Sequence, residues 1–180
     1  MRLFVSIDFP IEICRELYNR VPDLEEWRKT PAEQVHLTLL FIGDSTQSEY
    51  EKISTLLSGI VFEPFEIVMN NFGVFPGRKD PTILWFGVDY CQKLADLQRD
   101  VGKKLTKFRK KPDHKPFFPH ITLARRKRNS GKSSEIDELL ESKYIELRHV
   151  VDRFSLKQSL LKPGGSEHHL LNVFKSGNAV

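Results

Sequence analysis

The sequence predicts an α+β fold, with a mixed or antiparallel sheet carrying helices on one side. Three observations predict it. Strand-like alternating runs and amphipathic helical stretches succeed one another up to residue 110. Two neighbouring strand runs, 65–75 and 82–88, are separated by Pro76-Gly77-Arg78-Lys79-Asp80-Pro81, whose length and composition suit a hairpin and hence antiparallel pairing. No linker, low-complexity stretch or solenoid-like repeat divides the 180 residues, a size near the commonest for one compact unit. One domain over residues 1–180 is expected.

Taken in order, Leu3, Val5 and Ile7 alternate as a strand, and Pro10 opens a helix to about Val21, since a first helical turn tolerates proline. Pro22 breaks that helix; residues 24–27 read as a second short helical piece before the turn-like Thr30-Pro31. A strand resumes at Val35 and runs to Ile42, stopped by Gly43-Asp44. Thr46 with Glu49 forms a capping box, and Tyr50, Ile53, Leu56 and Leu57 mark one helical face up to Gly59. After the hairpin, Leu94, Leu97, Val101 and Leu105 predict an amphipathic helix over 91–109, which Pro112 and Pro116 terminate. The remainder reads as a strand over 117–125, a polar loop, a short helix over 134–142 and strands near 145–160 and 168–174.

Composition narrows the function. With 39% apolar and 29% charged residues the chain is of ordinary globular character, and no stretch approaches the roughly 18 apolar residues of a spanning helix. The start, Met1 to Asp8, meets an acid before any secretory signal core could form. Cys14 and Cys91 make neither a Cys-x-x-Cys pair nor a disulfide ladder. A cytoplasmic, non-membrane protein is therefore expected. The net charge of +4 conceals a segment, residues 103–132, with twelve Lys or Arg and one acid, Asp113. Such a run is either a solvated face or the footprint of a polyanion.

Two runs decide between them. His36-Leu37-Thr38-Leu39 and His120-Ile121-Thr122-Leu123 share the pattern His-x-Thr-Leu, 84 residues apart. Composition alone would yield roughly 0.03 such matches among the six histidines. Singly, each His would more often be structural and each Thr merely a good strand former. In a strand, His and Thr share one face while the aliphatics turn to the other. Two imidazoles in one cleft can serve as acid and base around neutral pH without a metal. Hydroxyls and a guanidinium can hold the phosphate oxygens of an in-line displacement. Arg125 is the nearest guanidinium, although regular alternation from His120 would turn it to the opposite face.

With these residues the sequence resembles the 2H phosphoesterase superfamily, and within it the RNA 2′,3′-cyclic phosphodiesterases once called 2′-5′ RNA ligases. The likeness spans nearly the whole chain. It includes both His-x-Thr runs, Arg2-Leu3-Phe4, Phe41-Ile42-Gly43, Leu84-Trp85-Phe86-Gly87-Val88, Pro119 and Ala124-Arg125. The resemblance implies a bilobal, pseudo-two-fold 2H phosphoesterase fold, with antiparallel sheets lining a central cleft and helices on the outer faces. It implies hydrolysis of a terminal RNA 2′,3′-cyclic phosphate to a 2′-phosphomonoester, with no metal and no cofactor. His36 would protonate the leaving 3′ oxygen and His120 would activate water, or the two roles would be reversed; Thr38, Thr122 and Arg125 would hold the phosphate. Ligation to a 2′-5′ bond would be the same chemistry backwards. The implied partner is RNA with a cyclic phosphate end, and a monomer is expected. One departure stands out: family members usually carry a Tyr where this chain has His168, which otherwise reads with His169 as strand-edge surface.

The basic segment brackets His120 and is expected to run along one rim of the cleft, where it would track an RNA backbone. Phe72, Phe75, Trp85, Phe117 and Phe118 are candidates for base stacking, each more readily core. Two rival functions remain at this point. One is a phosphodiesterase for small cyclic nucleotides or 2′-5′ oligoadenylate, against which the basic segment speaks. The other is a non-catalytic RNA- or nucleotide-binding 2H domain, against which the two intact motifs speak.

Overall fold

The strands bearing the two His-x-Thr runs meet at a single residue pair, and the sheet extends outward from that junction in both directions. The computed structural model describes residues 1–76, 81–110, 116–127, 135–141, 146–162 and 165–177. Nine strands are described: β1 (Arg2–Asp8), β2 (Trp27–Lys29), β3 (His36–Asp44), β4 (Phe65–Pro76), β5 (Pro81–Val88), β6 (His120–Arg126), β7 (Leu147–Val151), β8 (Arg153–Lys162) and β9 (Gly165–Lys175). The helices are α1 (Ile11–Arg20), α2 (Gln47–Ser58), α3 (Gln92–Lys104) and α4 (Glu135–Leu140). The strand order is β7-β4-β5-β6-β3-β1-β8-β9, with β2 on β6, and every recorded pairing is antiparallel. Read from the β6–β3 junction, each half-sheet continues for three more strands. That is the layout of an approximate two-fold axis.

The sheet buries one face under the helices. Leu37, Leu39, Ile121 and Leu123, the aliphatics of the paired motifs, are at most 3% exposed. They share one cluster with Cys14 and Leu17 of α1, Ile53 and Leu57 of α2, Leu94, Leu97 and Val101 of α3, and Ile136 of α4. Each fully buried Leu or Ile stabilises the fold by about 1.5–3 kcal/mol before the entropy of ordering is counted. The His and Thr side chains are thereby turned toward the uncovered face.

Local chemistry explains most boundaries. Thr46 accepts from the Glu49 amide while the Glu49 carboxylate accepts from the Thr46 amide, so α2 starts with the expected capping box. The helix expected over 91–109 ends at Lys104 and continues as a 3-10 turn, Thr106–Phe108. There the Thr106 hydroxyl donates back to the Gly102 and Lys103 carbonyls at 3.0 Å, a local bond that competes with further helix.

Four expectations are corrected. Residues 24–27 are not helical: Trp27 begins β2, which pairs with residues 124–126 of β6 and buries the indole to 5% exposure. The segment 117–119 lies before the strand, which starts at His120. The run 145–160 is two strands divided at Asp152, because β7 pairs with β4 in one half-sheet and β8 with β1 in the other. The last strand starts earlier, at Gly165, because β8 and β9 form one long hairpin. Most of the hairpin connection between β4 and β5, and the polar loop after β6, lie outside the described residues.

Candidate active site

Leu37 pairs with Ile121 across the antiparallel β3–β6 junction. That register places His36 across from Thr122 and Thr38 across from His120, all four on the face opposite the core. In a regular ladder, directly opposed Cβ atoms lie about 5 Å apart and diagonal neighbours about 7–8 Å, room for one phosphate between the two imidazoles. The pairing brings together the four motif residues that the sequence nominated.

Both rings are held the same way. His36 Nδ1 lies 2.6 Å from the Gln34 carbonyl and His120 Nδ1 lies 2.8 Å from the Phe118 carbonyl, in each case the residue two before. A carbonyl only accepts, so Nδ1–H donates and Nε2 is left as the reactive nitrogen of the neutral ring. On the β3 side, the Thr38 hydroxyl stands 3.1 Å from His36 Nε2.

Their surroundings differ. His36 stands beside Asp8, its partner on β1, and the Asp8 carboxylate pairs with Lys157, which is 8% exposed. Phe4 and His168 close on the His36 ring at centroid distances of 5.1 and 5.0 Å, the latter edge to face. Burial pushes the His36 pKa down to about 4; Lys157 and His168 push the same way, against the Gln34 carbonyl and Asp8. His120 is walled by Phe75 at 4.8 Å and Phe118 at 6.1 Å, with Trp85 behind them. Burial also lowers its pKa, seconded by Arg125 and opposed by the Phe118 carbonyl. Both shifts favour the neutral imidazole.

A β-bulge settles the direction of Arg125. Leu84 pairs with Ala124 and Trp85 with Thr122, so Leu123 is an extra residue in β6. Leu123 and Ala124 are both buried, and the parity shift returns Arg125 to the face of His120 and Thr122. The first half repeats the device: Val5 pairs with Leu40 and Ser6 with Thr38, leaving Leu39 as the extra residue. The counterpart of Arg125 is then Phe41, which is 63% exposed. Sequence reasoning missed Phe41 as a site residue, although two motifs each followed by two aliphatics and then Phe41 or Arg125 carried the signal.

His168 is likewise more than edge surface. It pairs with Ser159 on β8 and packs on Phe4 at 4.9 Å as well as on His36, and its buried Nδ1 has no hydrogen-bond partner. Of the base-stacking candidates, Phe75, Trp85 and Phe118 wall His120, whereas Phe72 and Phe117 pack against the core. Within the basic segment, Lys103 and Lys104 line a surface pocket with Gly59, Ile60, Val61 and Asp100, and Lys110 pairs with Glu49 at 3.2 Å. These three belong to the α2–α3 side. Residues 111–115 and 128–134 of that segment lie outside the described residues.

A fold of two matched half-sheets with a His-x-Thr run at their junction defines a class, and the comparisons identify it. The chain belongs to the 2′-5′ RNA ligase superfamily, whose family model matches residues 11–161. It is 32% identical to the RNA 2′,3′-cyclic phosphodiesterase of Archaeoglobus fulgidus, over 97% of this chain and 100% of that protein. The enzyme of the same name from Methanothermobacter thermautotrophicus is 30% identical, over 97% of this chain and 98% of its own. Among solved structures, a protein of Thermus thermophilus superposes with a TM-score of 0.81 at 26% identity, covering 99% of this chain and 100% of that one. Escherichia coli LigT complexed with 3′-AMP shares the fold, with a TM-score of 0.78 at 22% identity and 98% coverage of both chains.

Proposed function

We propose that this protein hydrolyses the terminal 2′,3′-cyclic phosphate of RNA to a 2′-phosphomonoester by paired histidine acid–base catalysis. The observation that carries the reading is the Leu37–Ile121 pair, which sets His36, Thr38, His120 and Thr122 on one uncovered face. Its relatives' shared name supplies the substrate class. Neutral His120 accepts a proton from water; the water oxygen bonds to phosphorus as the P–O3′ bond breaks, and protonated His36 gives its proton to O3′. Thr38, Thr122 and Arg125 take the non-bridging oxygens, where negative charge accumulates. His36 acquires its proton with the substrate, because an anion beside a desolvated imidazole favours the charged ring. Phe41 offers a flat apolar surface to the terminal base. No step calls for a metal, and 2′-5′ ligation uses the same groups, with a 5′-hydroxyl bonding to phosphorus in place of water as the P–O3′ bond breaks. The reading carries with it a monomer in a reducing cytoplasm, a compartment that suits the two free cysteines.

The test is an oligonucleotide ending in a 2′,3′-cyclic phosphate, assayed with EDTA present. Turnover to the 2′-phosphate isomer is expected, with kcat lowered about 10²–10⁴-fold in His36→Ala and in His120→Ala while binding is retained. Near-normal kcat in either variant, or a 3′-phosphate product, overturns the assignment.

A further inference from the structure

We infer that Arg28 forms a second phosphate subsite, which takes the phosphodiester joining the terminal nucleotide of the RNA to the one before it. Three placements converge on this residue. First, β2 buries Trp27 and sets Lys29 over the Tyr18 ring of α1 at 4.0 Å, so strand alternation turns Arg28, between them, to the cleft face. Second, Arg28 is directly opposite Arg125 in the β2–β6 ladder, and directly opposed residues share a face. Third, the Arg28 guanidinium lies against Gly165, the first residue of β9: a Cβ built on Gly165 would be 3.2 Å from its Cζ. Gly165 has φ +129°, a conformation that suits glycine, so β9 offers bare backbone at this residue where the guanidinium passes.

The direction of the RNA follows from the order of these groups. From the junction along β6 come His120 and Thr122, then Arg125, and β2, which pairs with the same edge of β6 as β3 does, adds Arg28 beside Arg125, one strand spacing or about 4.8 Å away. A terminal ribose whose cyclic phosphate sits between the imidazoles has one more phosphate attached, at its 5′ oxygen. With Arg125 on the reacting phosphate, the adjacent Arg28 guanidinium meets that 5′ phosphate. Gly165 belongs to the half-sheet of His36 and Arg28 to a strand paired with β6, so this subsite is built from both halves, in the corner where the Arg125 charge also acts on His168. A planar fork of donors suits a phosphodiester, whose two free oxygens accept side by side. The enzyme thereby tells an RNA end from a cyclic mononucleotide without reading a base.

This inference rests on the proposed hydrolase reading, and the experiment keeps the two apart. Wild type, Arg28→Gln and Arg28→Lys are compared on adenosine 2′,3′-cyclic phosphate, which lacks the second phosphate, and on the dinucleotide ApA ending in a 2′,3′-cyclic phosphate. The ratio of kcat/KM for dinucleotide over mononucleotide is expected to fall about tenfold in Arg28→Gln, the loss of one charge-assisted contact, and to recover partly in Arg28→Lys. An unchanged ratio, whether from equal loss on both substrates or from none on either, overturns the subsite. The same three proteins are titrated with the corresponding 2′-phosphate products. If the wild type turns over neither substrate but its preference for the dinucleotide product depends on Arg28, the hydrolase reading fails and the subsite stands; a preference indifferent to Arg28 overturns the subsite as well.

Discussion

His36 ties the stability of the fold to pH. Its folded pKa of about 4 lies below the unfolded value near 6.5, so the unfolded chain binds more protons between those two values. Stability therefore falls as pH is lowered from 6.5 toward 4, by an amount on the order of 3 kcal/mol once the window is crossed. Urea melts at pH 7 and pH 4.5 check this: His36→Gln should lose less stability than wild type on acidification. Phe41 poses the other question at this scale, because an aromatic ring 63% exposed on the face of the two imidazoles is poorly used as packing. Phe41→Ala should leave the melting temperature nearly unchanged and lower kcat/KM for a cyclic-phosphate-ended RNA by about 5- to 100-fold, the worth of one base–aromatic stack. Steady-state kinetics beside a thermal melt would separate the two effects.

At the scale of elements, Leu37 and Ile121 are the one β3–β6 residue pair recorded, and both are fully buried. Truncating either removes the packing beneath the two motifs. Leu37→Ala should cost about 2–5 kcal/mol by denaturant unfolding and lower kcat more than proportionately to the folded fraction, since it loosens the platform under His36 and Thr38. The elements legible from sequence were those whose signal is local: alternation in β3, the Thr46–Glu49 box of α2, the heptad-like face of α3. β2 was not legible, because three residues carry little periodicity and what makes them a strand is the edge of β6, almost a hundred residues later. The face of Arg125 was not legible for a related reason. A bulge is a property of two strands, and the pairing of Ala124 with Leu84 and of Thr122 with Trp85 cannot be read from β6 alone. His168 was misplaced as surface because its neighbours, Phe4 and His36, come from strands far away in the chain.

For the whole molecule, the cleft gathers imidazoles whose burial favours the neutral form, with Arg125 near them and Lys157 paired with Asp8. An anion entering raises the pKa of each imidazole it approaches, so the occupied protein holds more protons than the free one at the same pH. Binding of a 2′-phosphate product near pH 6 should take up about one proton, and affinity should weaken as pH rises through 7. Calorimetry in buffers of different ionisation enthalpy measures that uptake, and a value of zero would speak against charging of His36. The two halves otherwise differ: each supplies one imidazole and one hydroxyl, while the guanidinium position of one is an aromatic ring, Phe41, in the other. Because β3 and β6 share one rung, Leu37–Ile121, the gap between the two imidazoles is set less by backbone bonding than by what props the sheet from behind. Substitutions in α1 or α3, remote from any nucleotide, thus have a lever on turnover: tilting one wing by a few degrees changes the bite of the other.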